Sequence, residues 1–291
     1  MMKHKNFATF ILSHGRPDKL LTLRALEKQG YTGKWYIVID NEDETAEEYF
    51  KLYGDKVIQF DKSSVKSDTM DNFSGRNIVL YARNKCFDIA KNLNLEYFFV
   101  LDDDYTSFTY RFQDGDALKD LLLQQLDRIF DCMLDFLEVS KAKTVAFAQG
   151  GDFIGGVGSG FFAERLSRKA MNSFFFKTDN KVEFLGRLNE DVNTYTSFGN
   201  RGDLFFTIAD VMINQPQTQT NTGGLTEEYL DKGTYVKSFY TVMLCPSFVK
   251  IGSIGGGGKG HTYRRVHHKI NSRYGYPKII NERYKVINWK S

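Results

Sequence analysis

The chain has 291 residues, 42% of them hydrophobic and 26% charged, with a net charge of +3. This is the make-up of a globular protein with a sizeable core, and it excludes a disordered or collagen-like chain. No apolar run reaches the length of a membrane span. Met1 to Lys5 lead straight into a strand-like segment without a signal-peptide pattern. Cys86, Cys132 and Cys245 are odd in number and far apart, so they read as reduced core residues of a cytoplasmic protein.

In chain order, residues 7–12 read as a first strand ending in the turn Ser13-His14-Gly15-Arg16-Pro17-Asp18. Asp18 is placed to cap a helix whose apolar positions are Leu20, Leu23 and Leu26. Residues 35–39 form a second strand with Asp40 at its exit, and the acidic run 41–48 suits a helix start. Residues 57–60 are a third strand. This alternation is the doubly wound α/β pattern. A helix follows Arg76, with Val79, Ala82, Cys86, Ile89, Ala90 and Leu93 as its buried stripe. Arg76 and Arg83, seven apart, are expected on one face of it, beside Asn84. Residues 97–101 are an unbroken apolar run that reads as a buried strand, and Asp102, Asp103 and Asp104 follow at its exit.

Leu118, Leu122, Leu126, Ile129, Met133 and Leu137 suggest one long amphipathic helix. Residues 144–148 and 204–208 are strand-like, and the glycines between 150 and 160 mark a loop. Phe174-Phe175-Phe176 is a short apolar run. Glu190 and Asp191 form a second acidic site at a helix start. Residues 215–222 read as a polar loop, and 243–251 close the core. Gly255 to Gly258 read as a flexible hinge before a basic tail. The expected organisation is one catalytic domain over 1–253, with 254–291 closing onto it.

Ligands of open α/β sheets bind outside the carboxyl ends of the strands. Three acids there repel one another unless a cation neutralises them. Oxygen ligands suit Mg(II) or Mn(II), which commonly also take substrate phosphates. The competing reading is an acidic surface turn. From His261 onward, Arg264, Arg265, Lys269, Arg273 and further cations face one acid, Glu282. Such a tail suits a phosphate backbone, although the net charge alone does not identify a nucleic-acid partner.

Taken in order, the Arg-Pro turn, the acid after strand two, Ala82-Arg83-Asn84 and Leu101-Asp102-Asp103-Asp104 resemble the nucleotide-sugar glycosyltransferases of the GT-A fold. Their hallmark is an Asp-x-Asp triplet at a strand end. Residues 189–195, 223–226, 233–238 and 264–268 are similar to the TET-associated glycosyltransferases, found largely in phages and their relatives. The resemblance implies an α/β, GT-A-like (Rossmann-like) central mixed sheet flanked by helices, with an elaborated C-terminal acceptor-side region. It implies a UDP-sugar donor, a Mn(II) or Mg(II) ion, and DNA carrying a hydroxymethylated pyrimidine (5-hydroxymethylcytosine) as acceptor, in the cytoplasm of a host cell if phage-encoded.

Under that resemblance Asp102 and Asp104 hold the metal, with His267, His268 or His261 as a further ligand. Arg16, Asp40, Arg76, Arg83, Asp102 and Asp103 serve the donor. Asp191, with Glu190 second, is the base. Arg264, Arg265, Lys269 and Arg273 contact DNA, whose target base would be flipped out, with Phe161-Phe162 or Phe174–176 as stacking candidates. Alternative readings are a protein or glycan acceptor, a non-catalytic nucleotide- or DNA-binding module, and a Mg-dependent nucleotidyltransferase.

Overall fold

The pattern of β4 (Tyr97–Asp102) organises the molecule, because both faces of this strand are apolar. Tyr97, Phe99 and Leu101 pack to one side of the sheet, against Phe130, Met133 and Leu134. Phe98 and Val100 pack to the other, against Cys86, Phe87, Val192 and Tyr195. Strands buried on both faces are what an α/β sheet covered by helices on each side requires. The computed structural model describes residues 2–73, 75–216, 236–256, 263–276 and 279–285.

Strands β1 (Phe7–Leu12), β2 (Lys34–Asp40), β3 (Val57–Phe60) and β4 are parallel, in the order β3-β2-β1-β4. The sheet continues through β9 (Ser173–Lys177), β7 (Thr144–Gln149), β10 (Phe205–Asn214), β5 (Ser107–Asp114) and β6 (Ala117–Leu122). β9 is antiparallel to both β4 and β7, and the short β8 (Leu166–Ser167) pairs with β10. This is a mixed ten-stranded sheet. Helices α1 (Leu21–Lys28) and α4 (Leu126–Ser140) cover one face. Helices α3 (Leu80–Asn92) and α6 (Glu190–Asn200) cover the other. α2 (Ala46–Tyr53) and α5 (Gly160–Glu164) lie in the connections. Beyond the sheet, α7 (Val236–Leu244) packs on α6, and β11 (Val249–Gly256) and β12 (Tyr263–Ile270) form a separate hairpin closed by α8 (Ser272–Gly275).

Several expectations are corrected. The long helix expected from Leu118 begins only at Leu126, because residues 107–122 are the β5–β6 hairpin, turning at Gly115 with φ +61°. Left-handed backbone of this kind favours glycine. α3 starts at Leu80, so Arg76 precedes it and shares no helical face with Arg83. Leu93 is exposed just past its end, whereas Arg83 and Asn84 are buried. α1 starts at Leu21 without a side-chain cap, so Asp18 does not fill that role. Cys132 is exposed, and only Cys86 and Cys245 are buried. Gly255 and Gly256 are not a hinge: they belong to β11 and pair with Arg264 and Tyr263, so the expected boundary at 253 falls inside a strand. Gly257, Gly258, His261 and segments 217–226 and 233–235 lie outside the described residues.

Candidate active site

The pleat of β4 sorts the three aspartates. Alternate residues of a strand point to opposite faces. Asp102 continues the row of Phe98 and Val100 and therefore meets α3: its Oδ1 lies 3.2 Å from Arg83 Nη2. Asp103 falls on the α1 side and is buried, where it accepts from Ser13 Oγ at 2.5 Å and pairs with Arg16 at 2.9 Å. Asp103 thus holds the β1–α1 turn. Burial pushes its carboxyl up to about 6, even though Arg16 and Ser13 pull the other way. Asp104 follows in the turn. Burial and then the charge of Asp102 push it up to about 6 as well, and among the described residues no ion pair reaches it.

The exits of β1, β2 and β3 lie side by side and gather a second group. Asp40 is buried and bonded to His14 Nδ1 at 3.2 Å, Lys62 Nζ at 2.9 Å and the Glu42 backbone N–H at 2.9 Å. Burial raises its pKa, but His14 and Lys62 outweigh that and hold it below the ordinary carboxylate value. The hydrogen bond to Asp40 in turn raises the His14 imidazole against the effect of its own burial. Arg76 stands 3.6 Å from Glu42 and over the Tyr81 ring. An open groove of about 680 Å³ flanks this end, with Ser67, Phe73, Arg76 and Tyr81 in its wall. None of the acids of β4 or α6 lines it, so it borders the acid cluster without containing it.

Opposite β4 stands the first turn of α6, with Glu190 and Asp191 both buried. Negative charge is favoured at a helix N-terminus. Arg83 pairs with Glu190 through Nη1 and with Asp102 through Nη2, so one buried guanidinium ties the two acidic groups together. Burial drives Glu190 up to about 7 while Arg83 pulls against it, and the guanidinium stays charged throughout. Burial also raises Asp191, with Arg83 and Lys237 offsetting part of the effect. Asp191 Oδ1 accepts from the Val192 backbone N–H at 2.7 Å.

Ahead of these acids, Asn189 sits at φ +63° and donates to Thr241 Oγ1 at 2.6 Å. Its amide lies 3.3 Å from His268 Nδ1. Two residues earlier, Arg187 is fully buried. It grips the Asp71 carboxylate at 2.8 and 2.9 Å and donates to the Phe73 and Gly75 carbonyls. Tyr240 of α7 adds a bond to Asp71 at 2.6 Å. The loops before α3 and α6 are therefore fastened to each other beside the site.

Of the residues expected from sequence, Arg16, Arg83, Asp102, Asp104, Glu190 and Asp191 come together, and Asp40 and Arg76 flank them. His267 and His268 do not join the acids. β12 lies on α7, which in turn packs on α6, and His268 meets Asn189 ahead of α6; burial with His267 and Lys237 nearby pulls its pKa down to about 3. Among the described residues no group of three or more His, Cys, Asp and Glu side chains forms a metal-ligand set. Lys269 and Arg273 are exposed, whereas the side chains of Arg264 and Arg265 lie outside the described residues. Phe174, Phe175, Phe176 and Phe162 are core residues. Sequence reasoning missed His14, Lys62 and Arg187.

A strand-end acid triplet facing buried acids on a flanking helix, over a mixed α/β sheet, is the arrangement that the resemblance to nucleotide-sugar glycosyltransferases implied. This chain belongs to the TET-associated glycosyltransferase family, whose sequence profile matches residues 7–224. Among curated proteins, none matches the sequence. Among solved structures it is similar to glucosyl-3-phosphoglycerate synthase from Mycobacterium tuberculosis with Mn2+, UDP-glucose and phosphoglyceric acid, at 9% identity and a TM-score of 0.46, over 88% of this chain and 86% of that one. It is also similar to mannose-1-phosphate geranyltransferase from Thermus thermophilus, at 10% identity and a TM-score of 0.38, over 72% and 76%. Membership rests on the sequence profile, not on these partial superpositions. No helix among the described residues is long and apolar enough to cross a membrane.

Proposed function

We propose that the enzyme transfers a sugar from a UDP-sugar to the hydroxymethyl group of 5-hydroxymethylcytosine in DNA. The observation that carries the reading is the split of the triplet: Asp103 is neutralised internally, Asp102 shares the Arg83 guanidinium with Glu190 and is part-exposed, and the unpaired Asp104 is left to a ligand. The buried Nε–H groups of Arg16 and Arg83 lack hydrogen-bond partners, which suits an anionic donor between them. Two carboxylates with diphosphate oxygens and water completing the shell also suit a hard divalent cation. Mn(II) or Mg(II) held by Asp102 and Asp104 would supply Lewis-acid neutralisation of the departing diphosphate.

The protein's own residues do the rest. Arg16 and Arg83 orient the donor phosphates, and His14, held by Asp40, offers its other nitrogen to the nucleoside. Asp191 takes the proton of the hydroxymethyl O–H as its oxygen bonds to the anomeric carbon and the bond to UDP breaks. A single displacement of this kind inverts the anomeric centre. Burial raises the basicity of Asp191 and shields the reaction from water. Glu190 keeps Arg83 in place between donor and base. DNA as the acceptor, like the UDP-sugar, rests on family membership and on the exposed cations of the C-terminal hairpin.

The test incubates the protein with Mn(II), a panel of UDP-sugars and 5-hydroxymethylcytosine DNA, followed by nucleoside mass analysis. A sugar-sized gain on the base supports the proposal. UDP release with unmodified DNA moves the acceptor to a protein or glycan, and absence of both overturns the transferase role of this site.

A further inference from the structure

The C-terminal hairpin carries charges that the transfer chemistry leaves unused. β11 and β12 pair so that Lys250 stands directly opposite Lys269. Opposed residues of an antiparallel pair share a face with Cβ atoms about 5 Å apart, and like charges placed so destabilise the ribbon. Both lysines are exposed, and among the described residues neither meets a carboxylate. A Cβ at Gly252 would lie 3.4 Å from Lys269 Cβ and 4.0 Å from its Cδ, at ordinary contact distance, so the Lys269 stem runs along the ribbon past Gly252.

The same unit presents Arg273 and Tyr274, both exposed, on α8. Gly275 lets α8 close against the hairpin: a Cβ there would stand 2.9 Å from Ile270 Cγ2. The neighbour of Lys269 in β12, His268, reaches Asn189, the residue before Glu190. The cationic face is therefore rigidly joined to the helix that carries the acids.

We propose that this face seats the phosphate backbone of the acceptor DNA, with Lys250 and Lys269 as a cross-strand pair of phosphate contacts and Arg273 and Tyr274 continuing the track. The assignment rests on DNA being the acceptor. A polyanion relieves the Lys–Lys repulsion and gains counterion release. Lys250 was not evident from sequence, because only the hairpin register brings it beside Lys269.

The test measures binding of a 5-hydroxymethylcytosine duplex across a salt series. Each lost phosphate contact lowers the slope of log K against log salt by about 0.9. The double variant Lys250→Gln, Lys269→Gln is expected to lose about 1.8 of that slope and at least about tenfold in affinity at low salt. Lys250→Glu places an opposite charge across from Lys269. It should melt no lower than the parent yet bind DNA more weakly, which separates contact from folding. Parental slope in the double variant, or parental binding by Lys250→Glu, overturns this assignment alone. A parent protein that neither binds nor modifies the duplex overturns it together with the acceptor on which it rests.

Discussion

At the edge formed by β1, β2 and β4, the acids have cations built in: the buried Asp103 has Arg16, the buried Asp40 has Lys62 and His14, and the part-exposed Asp102 shares Arg83 with Glu190. On the β11–β12 hairpin and α8, Lys250, Lys269 and Arg273 stand in water with no acid beside them among the described residues. The difference follows from solvation. A buried charge without a partner costs several kcal/mol, about the stability of a whole domain. An exposed lysine costs little and can wait for a ligand. Among the described residues of that edge, Asp104 breaks the pattern, since it is half-buried and no ion pair reaches it. Under the proposed function it is the acid left for a ligand.

The sharpest way to break this contrast is Arg83→Ala. It leaves Asp102 and Glu190 without their shared cation, and loss of one partner of a buried pair costs about 3–5 kcal/mol. Urea denaturation should show that loss, with turnover gone. Arg83→Lys should recover part of the stability but little activity, because one ammonium does not span both acids as a guanidinium fork does. Next in size is Asp191→Asn, expected to cut kcat by about 10²–10⁴-fold while leaving the KM for donor nearly unchanged. In the parent, kcat should fall as pH drops through the raised pKa of Asp191, and the variant should lack that limb.

His14→Ala is a smaller step. Loss of a hydrogen bond to a charged group is worth about 1.5–3 kcal/mol, so the KM for the UDP-sugar should rise about 10–100-fold with kcat little changed. Lysine-to-glutamine changes on the hairpin should leave that KM untouched, since donor and acceptor contacts are built on separate parts of the chain.

The acid-bearing edge of the sheet was largely legible because its signals are local. Residues 97–104 couple an apolar run to three acids, and the alternation of strands and helices places them at a sheet edge. His14 and Lys62 were not legible, since their meeting at Asp40 depends on three strand exits lying side by side. Leu118, Leu122 and Leu126 imitate a helix by their four-residue spacing. The turn at Asp114, Gly115 and Asp116 was the signal that separated the hairpin from α4. Arg83 and Asn84 look like surface residues of α3, yet both are buried, because α6 and the loop at Phe184 bring them polar partners. The resemblance and the residue type together suggested a metal for His267 and His268. Their position was decided by the pairing of β12 with β11, which no local pattern specifies.

The smallest effect concerns Asp104 itself, measured on metal-free protein. Its carboxyl ionises near the ordinary carboxylate value when unfolded but at about 6 when folded, chiefly through burial and then Asp102. Between those values the folded state binds more protons than the unfolded state, so stability falls as pH rises from about 4 to about 6 and stays lower above that. Asp104→Asn removes this loss. It should melt like the parent near pH 4 and above it at pH 7.5, by about 1 kcal/mol or less, because partial exposure screens the repulsion. Mn(II) should raise the melting temperature of the parent at pH 7.5 and move the variant far less. Asp103 keeps Arg16 in both proteins, so the difference belongs to the one acid of the triplet that lacks a partner. A variant that melts below the parent at pH 7.5 would mean that Asp104 is already neutralised within the fold, and the contrast between a finished donor edge and a waiting one would lose its exception.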